Sequence, residues 1–399
     1  MLPREIREAQ EDALSPLAAR STLSRGRLTP EKKCDVRSDF ERDSGRILYS
    51  LDFRRLRHKT QVFFNPQNDH ICTRMEHVLH VGYIANTIAR SLDLNPELVH
   101  AISLGHDLGH APFGHSGERR LNTLLQKVDP ALFFEHEAHS LRVVDLLSGQ
   151  SVAGAATGSG SGSGSGLASE EEPVEGRGGL NLTFEVRDGI VSHCGETYSE
   201  NRLRPDRSKT EADLHGPRAL RGMPGTLEAC VVRISDRIAY VGRDIEDAVR
   251  AGIMASEDIP KEITSALGRS NGEIIDTLVT DIIRNSLGED EIALGAEVGE
   301  ALEALLRDNL DRIYKSEKIK RYEKTADNII DGLFEALLPV ALDPERPVDA
   351  GNRVLRGFDT FLRERRGGAG VPPAQRVADY IAGMTDSFAS KCYEEIYWF

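Results

Sequence analysis

Apolar residues recur every three or four positions between Thr226 and Ala251, as they do on one face of an α-helix. They are Leu227, Cys230, Val231, Ile234, Ile238, Val241, Ile245 and Val249. A second stretch, from Thr73 to Leu92, has similar spacing, and Thr73 with Glu76 three residues later forms a capping-box signature at its start. Almost no segment alternates apolar and polar residues as a half-buried strand does. These patterns predict an all-α fold.

The composition indicates a globular protein that is not built to bind long polyanions. The chain has 399 residues, of which 39% are hydrophobic, so it is large enough to bury a sizeable core. Its net charge of −14 argues against a nonspecific polyanion-binding surface. Single-stranded nucleic acid is therefore not indicated as a partner, whereas a small anionic ligand in a focused pocket is compatible with this charge.

The cysteines and the N-terminus bear on where the protein works. The five cysteines are scattered and never form a CxxC pair, which argues against a disulfide framework and against a thiolate zinc site. Met1 to Glu5 begin no apolar segment of the secretory kind, and no apolar run is long enough to span a membrane. We expect a cytoplasmic protein that makes no membrane contact.

Changes in composition predict three regions and one insertion. Residues 1–36 form a polar N-terminal arm, residues 37–260 a core that contains the histidine-rich segment, and residues 261–399 a C-terminal helical region that includes one long helical segment from Pro373 to Tyr397. Residues 151–179 interrupt the core with a Gly-Ser repeat followed by acidic residues, a composition that is typical of a flexible linker.

Histidines cluster in one part of the chain. Eight of the twelve lie between positions 77 and 139, namely His77, His80, His100, His106, His110, His115, His136 and His139. The densest segment runs from His106 to Glu118 and also contains Asp107. Imidazoles and carboxylates so close together indicate a metal site with catalytic groups beside it.

His106 and Asp107 are the first candidate metal ligands. Adjacent residues point about 100° apart around a helix, so other ligands must come from elsewhere in the chain. His77 and Asp236 are the best candidates, because a carboxylate on an apolar stripe is costly to bury unless it is paired or bound to a metal. A salt bridge from Asp236 to a neighbouring arginine, and an ordinary hydrogen-bonded role for His77, are the alternatives. The donor set suits Mg²⁺ or Mn²⁺, with Fe, Ni, Co or Zn as further possibilities.

Three more residues of this segment are candidates for chemistry. His110 follows His106 by four positions, so it could share a helix face and orient a ligand, a water or a phosphate. His115 and Glu118 are three residues apart, close enough to form a carboxylate–imidazole pair in which His115 acts as general acid or activates the nucleophile. The alternative for Glu118 is a helix N-terminal charge stabilised by the helix dipole.

The order His77, His106-Asp107, Asp236 resembles the H…HD…D signature of the HD-domain phosphohydrolases, a mainly helical superfamily. Together with HAPFGHSGE at residues 110–118 and FEHEAHS at residues 134–140, it makes the chain similar to the dGTPase-like deoxynucleoside triphosphate triphosphohydrolases. The resemblance implies an HD-domain helical fold with additional C-terminal helices. It also implies hydrolysis of dGTP or of dNTPs broadly to deoxynucleoside and tripolyphosphate, for control of dNTP pools, with water attacking the α-phosphorus.

The resemblance also implies roles for individual residues. His77, His106, Asp107 and Asp236 would bind the metal, and His115, Glu118, His110 and His136 would act on the phosphates and the leaving oxygen. Gln61, Arg74, Arg237, Tyr240 and Asp244 would contact the substrate: the arginines the triphosphate, the others the deoxyribose. Relatives of this kind imply a homo-oligomer, a tetramer or hexamer, and a possible activating dNTP at a second site.

Two other functions compete with this one. Another HD-domain phosphohydrolase or phosphodiesterase would keep the same metal ligands, and only His115, Glu118, Tyr240 and Asp244 separate it from a triphosphohydrolase. A catalytically silent nucleotide sensor would need no reactive dyad, so the intact His115–Glu118 pair favours an enzyme.

Overall fold

The fold is mainly helical, as predicted, in a computed structural model that describes residues 1–60, 72–149, 178–195, 199–345, 348, 351–364 and 370–397. The helices are α1 (Pro3–Gln10), α2 (Asp39–Tyr49), α3 (Leu51–Arg55), α4 (Arg74–Ser91), α5 (Pro96–Gly105), α6 (Gly114–Val128), α7 (His136–Arg142), α8 (Phe184–Val191), α9 (Arg218–Arg221), α10 (Leu227–Arg250), α11 (Lys261–Leu267), α12 (Asn271–Ser286), α13 (Ala296–Asn309), α14 (Glu317–Leu342), α15 (Arg353–Arg363), α16 (Pro373–Ala382) and α17 (Asp386–Tyr397). Strands β1 (Arg202–Leu203) and β2 (Ile292–Ala293) form a small antiparallel ribbon in which Arg202 lies opposite Ala293.

The two strongest helix predictions are confirmed. Helix α10 begins after Thr226, whose hydroxyl accepts a hydrogen bond from the amide of Ala229. Helix α4 begins after Thr73, and the side chains of Thr73 and Glu76 satisfy each other's backbone amides as a capping box. Both helices pack against each other and against α5, so the stripe of apolar residues on α10 lies in the core.

Buried apolar side chains form two clusters. The first joins α2, α4, α5, α8 and α10 to α11, α12 and α13, and the second joins α6 to α14, α15, α16 and α17. The segment from His106 to Glu118 crosses from one to the other, because Leu108 belongs to the first cluster and Ala111 to the second. The division at residues 36 and 260 stays a prediction, and most of the predicted insertion, residues 150–177, lies outside the described residues.

The C-terminal segment differs from its prediction. Instead of one helix from Pro373 to Tyr397, α16 ends at Ala382 and α17 begins at Asp386. The break frees the Asp386 carboxylate, which accepts hydrogen bonds from the amide and hydroxyl of Thr60 and from the amide of Phe113. Phe113 has a φ of 65°, an unfavourable conformation for a non-glycine residue, so Asp386 holds a strained turn just before α6.

The Asp386→Ala substitution should therefore destabilise the protein by about 2–3 kcal/mol, because it removes the acceptor of three partly buried hydrogen bonds. Urea unfolding of the variant and the wild type measures this difference. Asp343→Ala, a substitution just beyond the C-terminal end of α14, is the control and should be close to neutral. Equal stability of all three proteins would contradict the assigned role of Asp386.

None of the helices within the described ranges is long and apolar enough to cross a membrane.

Candidate functional site

A cavity of about 610 Å³ lies between the two core clusters. One wall carries the polar residues of the sequence prediction, including Arg74, Asp107, His110, Glu118 and Asp236. The opposite wall comes from the segment that joins α13 to α14 and from the first turns of α14, and its aromatic residues are Tyr314 and Tyr322. The cavity is large enough for a nucleotide-sized ligand, with a charged end and an aromatic end.

The four predicted metal ligands come together at the charged end. Nε2 of His77 lies 2.9 Å from Oδ1 of Asp236, and Nε2 of His106 lies 3.9 Å from Oδ1 of Asp236 and from Oδ1 of Asp107. Neighbouring ligands in an octahedral shell with bonds of about 2.1 Å are about 3 Å apart, so the 2.9 Å separation matches such a shell, whereas the two 3.9 Å separations are longer. Among the described residues, no salt bridge joins Asp236 to Arg233 or Arg237, and Arg233 pairs with Glu200.

His106 supplies the clearest evidence that the residues fit a divalent ion. It follows the last residue of α5, and its Nδ1 donates to the carbonyl of Ser103 at 2.7 Å, which leaves a lone pair on Nε2. Nε2 is buried and has no hydrogen-bond partner among the described residues. A buried acceptor with its tautomer fixed in this way is typical of a metal-binding histidine.

Arg74 and His110 surround Asp107. Nη1 of Arg74 donates to Oδ2 of Asp107 at 2.7 Å, and Nε2 of His110 lies 3.0 Å from Oδ1. Burial opposes the charge on Asp107, but the Arg74 guanidinium together with His110 and His106 outweighs it and holds the pKa of Asp107 well below its usual range. The ionised carboxylate is the form that binds a metal.

Arg74 and His110 also keep donor and acceptor atoms available. Nε and Nη2 of Arg74 and Nδ1 of His110 are buried without a hydrogen-bond partner in the described chain. Both residues line the cavity, so an anionic group there would satisfy the two Arg74 donors, whereas Nδ1 of His110 would accept from a water or a hydroxyl group. This arrangement suits a phosphate.

Glu118 connects two histidines. Its Oε2 lies 3.2 Å from Nδ1 of His115 and 3.0 Å from Nδ1 of His136, and its Oε1 also accepts from the amide of His136 at 3.1 Å. Burial opposes the charge on Glu118, but the two histidines lower its pKa well below the usual range. The predicted His115–Glu118 contact is therefore present, with His136 as a second partner.

His115 and His136 differ in their surroundings. The side chain of His115 is 52% exposed and borders the cavity, whereas His136 is buried and its ring stacks on that of His110 at 3.8 Å. Helix α7 can bring His136 this close because Gly109 faces the α7 backbone, where a Cβ would lie 2.4 Å from the carbonyl oxygen of His136. The glycine at this position is thus required by packing.

The structure separates the predicted substrate contacts. Tyr240 lines the cavity, and Asp244 is buried behind it, where it accepts a hydrogen bond from the hydroxyl of Tyr314. Arg237 is buried, donates from Nη1 to the carbonyl of Glu200 and is not among the residues of the cavity wall. Its predicted contact with the triphosphate stays a prediction, and Gln61 lies outside the described residues.

Asp244 gives a pH-dependent prediction. Burial raises the pKa of Asp244 to about 7, so between about pH 4 and pH 7 the folded state keeps a proton that the unfolded chain has lost. Stability should fall as the pH rises through this window, by ~1.4 kcal/mol per pH unit at most. The Asp244→Asn variant should lack this decline. Urea unfolding of both proteins from pH 4.5 to 7.5 tests it, and identical pH slopes would contradict the assignment.

Several residues at the site have no counterpart in the sequence prediction. His193, at the end of α8, lies with its ring 4.9 Å from that of His106, and burial together with the neighbouring histidines lowers its pKa to about 3. Cys194 and Arg218 line the cavity, and Arg218 pairs with Glu137 and approaches Glu118 to 3.5 Å. The only signal for Arg218 in the sequence is an irregular arginine-rich segment, and that signal does not distinguish it from its neighbours.

Comparison with known families covers both halves of the chain. A family model described as HD domain matches residues 74–157, and one described as phosphohydrolase-associated domain matches residues 292–395. The first match includes His77, His106 and Asp107, and the second includes Tyr314 and Tyr322 from the opposite wall of the cavity. HD domains bind divalent metals, in agreement with the cluster of histidines and aspartates.

Curated relatives extend the similarity over the whole chain. The protein is 40% identical to a deoxyguanosinetriphosphate triphosphohydrolase-like protein of Caldanaerobacter subterraneus subsp. tengcongensis, over 100% of this chain and 98% of the relative. It is 35% identical to a protein of the same description from Desulfatibacillum aliphaticivorans, over 100% and 99%, and 33% identical to one from Clostridium tetani, over 99% and 96%. The chain therefore belongs to the deoxyguanosinetriphosphate triphosphohydrolase-like family of HD-domain hydrolases.

Proposed function

We propose that this protein hydrolyses deoxynucleoside triphosphates to deoxynucleoside and tripolyphosphate and thereby controls dNTP pools. The observation that carries the proposal is the arrangement of one cavity, where a cluster of metal-binding residues and the His115–Glu118–His136 group share a wall. The names of the relatives support the same substrate class.

Each polar group has a defined part in the proposed reaction. A divalent ion held by His77, His106, Asp107 and Asp236 would supply positive charge to the phosphate oxygens. Arg74 binds the phosphate chain through Nε and Nη2, which lack partners among the described residues, and Nδ1 of His110 accepts from a water or a hydroxyl group beside it. These contacts hold the α-phosphorus at the charged end of the cavity.

The two histidines that contact Glu118 have different roles in the proposed reaction, and His115 transfers protons. His115 is exposed enough to exchange protons with solvent, and its Nδ1 is held by Glu118, so Nε2 is the atom that takes a proton from water or gives one to the leaving oxygen. Burial opposes a charged His136, but Glu118 more than compensates and raises the pKa of His136 to about 9. The positive imidazolium stabilises negative charge on the phosphates.

The other end of the cavity suits the nucleoside. Tyr240 and Tyr314, the latter held by its hydrogen bond to Asp244, would pack against the deoxyribose, so that a 2′-hydroxyl has no room there. Tyr322 adds an aromatic surface farther along the same wall, which would contact the base. The predicted tetramer or hexamer, the activating dNTP and the use of Mg²⁺ or Mn²⁺ remain part of this proposal.

The experiment is to incubate the protein with each dNTP and each NTP, first with Mg²⁺ and then with Mn²⁺, and to identify the products by chromatography. We expect deoxynucleoside and tripolyphosphate from dNTPs and little product from NTPs. Deoxynucleoside monophosphate and pyrophosphate as products would mean that the same site cleaves the bond between the α- and β-phosphates. No product from any nucleotide or nucleotide mixture would contradict the proposal and favour the sensor.

A further inference from the structure

Three side chains that are not among the four predicted metal ligands converge beside them. Nε2 of His136 lies 3.2 Å from Nε2 of His193 and 3.3 Å from Sγ of Cys194. The imidazoles come from different parts of the chain, the start of α7 and the residues after α8, and both are buried. Cys194 is half-buried, is not in a disulfide and borders the cavity together with His136.

Hydrogen bonds fix the tautomers of both imidazoles. Nδ1 of His136 faces the Glu118 carboxylate at 3.0 Å, and Nδ1 of His193 faces the carbonyl of Ile190 at 2.6 Å. Carboxylate and carbonyl oxygens only accept, so each Nδ1 carries a proton, and the two Nε2 atoms that face each other share either a proton or a metal ion. Two buried lone pairs at 3.2 Å repel each other unless a cation lies between them.

The distances fit a tetrahedral metal site. With metal–nitrogen bonds of about 2.0–2.1 Å and a metal–sulfur bond of about 2.3 Å, tetrahedral ligands are about 3.3 Å apart for two nitrogens and about 3.5 Å for nitrogen and sulfur. The observed 3.2 Å and 3.3 Å are close to both values. Glu118 and the Ile190 carbonyl would then orient the two metal-bound imidazoles by accepting hydrogen bonds from their Nδ1 atoms.

We propose that His136, His193 and Cys194 bind a second divalent ion of the Zn²⁺ class, with one coordination position open to the cavity. A thiolate and two neutral imidazoles favour Zn²⁺ or Co²⁺ over Mg²⁺. The ligands around His106 include two carboxylates and suit Mg²⁺ or Mn²⁺ as well. Three protein ligands and one open position are the arrangement of catalytic zinc sites, and the open position would take a phosphate oxygen or water.

The ion competes with a proton for the same place. A proton on Nε2 of His136 in a hydrogen bond to Nε2 of His193 would fill the same gap, so a bound ion must displace it. His136 would then contact a phosphate through the ion and not through its own proton. This inference concerns metal binding alone and does not depend on the proposed reaction.

The test is a titration of chelator-treated full-length protein with Co²⁺, followed by near-ultraviolet absorption and by elemental analysis. A thiolate bound to cobalt gives a charge-transfer band that imidazole and carboxylate ligands do not give. We expect the wild type to show this band and to bind one more ion per chain than Cys194→Ser or His193→Asn. Asp236→Asn should lose an ion and keep the band.

Cys34→Ser is the matched control, because Cys34 is also half-buried and lies outside the cavity wall. It should behave as the wild type. A second measurement is the alkylation rate of each cysteine, and bound Zn²⁺ should slow the reaction of Cys194 but not that of Cys34. Absence of a Cys194-dependent band, or equal cobalt content in the wild type and Cys194→Ser, would overturn the proposal and leave a proton as the cation.

Discussion

Replacing Asp107 with alanine is expected to remove the bound metal and to lower turnover by about 10³-fold. The carboxylate lies 3.9 Å from Nε2 of His106 and is ionised because Arg74 stands beside it. Loss of the metal's charge at the phosphate corresponds to several kcal/mol of transition-state stabilisation, which gives a factor of this order. Elemental analysis and product formation from dNTPs measure the two effects.

The same substitution should also destabilise the fold. The Arg74 guanidinium is buried and loses its only ion pair with a carboxylate in the described structure, and an uncompensated buried charge costs about 3–5 kcal/mol. The double variant Asp107→Ala with Arg74→Met should regain part of that stability in urea unfolding while it still lacks metal. Metal content equal to that of the wild type in Asp107→Ala would contradict its place among the ligands.

Replacing His115 with alanine should have the opposite profile, with turnover lower by about 10²–10⁴-fold and metal content unchanged. The imidazole exchanges protons in the proposed reaction, which accounts for a loss of this size. Its side chain is 52% exposed, so its removal should change the free energy of unfolding by less than about 0.5 kcal/mol. Single-turnover assays and elemental analysis separate these outcomes.

His215→Ala is the control for this substitution. His215 is also an exposed histidine beside a glutamate, at 3.5 Å from Glu211, but it lies outside the cavity. Turnover of His215→Ala should equal that of the wild type. Equal metal loss in His115→Ala and Asp107→Ala would contradict the division between metal ligands and proton-transfer groups.

Local signals explain why much of the fold could be predicted. Thr226 and Thr73 form caps with residues three positions away, and the apolar stripe of α10 needs only the helical period. The end of α16 depends instead on residues distant in sequence, because Asp386 accepts hydrogen bonds from Thr60 and Phe113. A single helix from Pro373 to Tyr397 was wrong because the helical pattern contains no information about those contacts.

The same distinction applies to the site. Asp236 stands out in the sequence because a carboxylate interrupts an apolar stripe, and His106, Asp107 and His110 stand out because they are neighbours. His193 and Cys194 follow an ordinary helical segment and meet His136 only through the packing of α7 on α8. The family motif implies that Arg237 contacts the triphosphate, but it does not predict the hydrogen bond of Arg237 to the Glu200 carbonyl, which depends on the tertiary structure.

The two walls of the cavity are encoded far apart in the gene. Reactive groups such as Arg74 and Asp236 lie on α4 and α10, whereas Tyr314 and Tyr322 lie in a stretch about eighty residues downstream of Asp236. Mutation or recombination within that later stretch can therefore alter which nucleoside is accepted without disturbing the chemistry at phosphorus. Chimeras that exchange residues 296–342 between relatives should inherit the metal requirement of one parent and the base preference of the other.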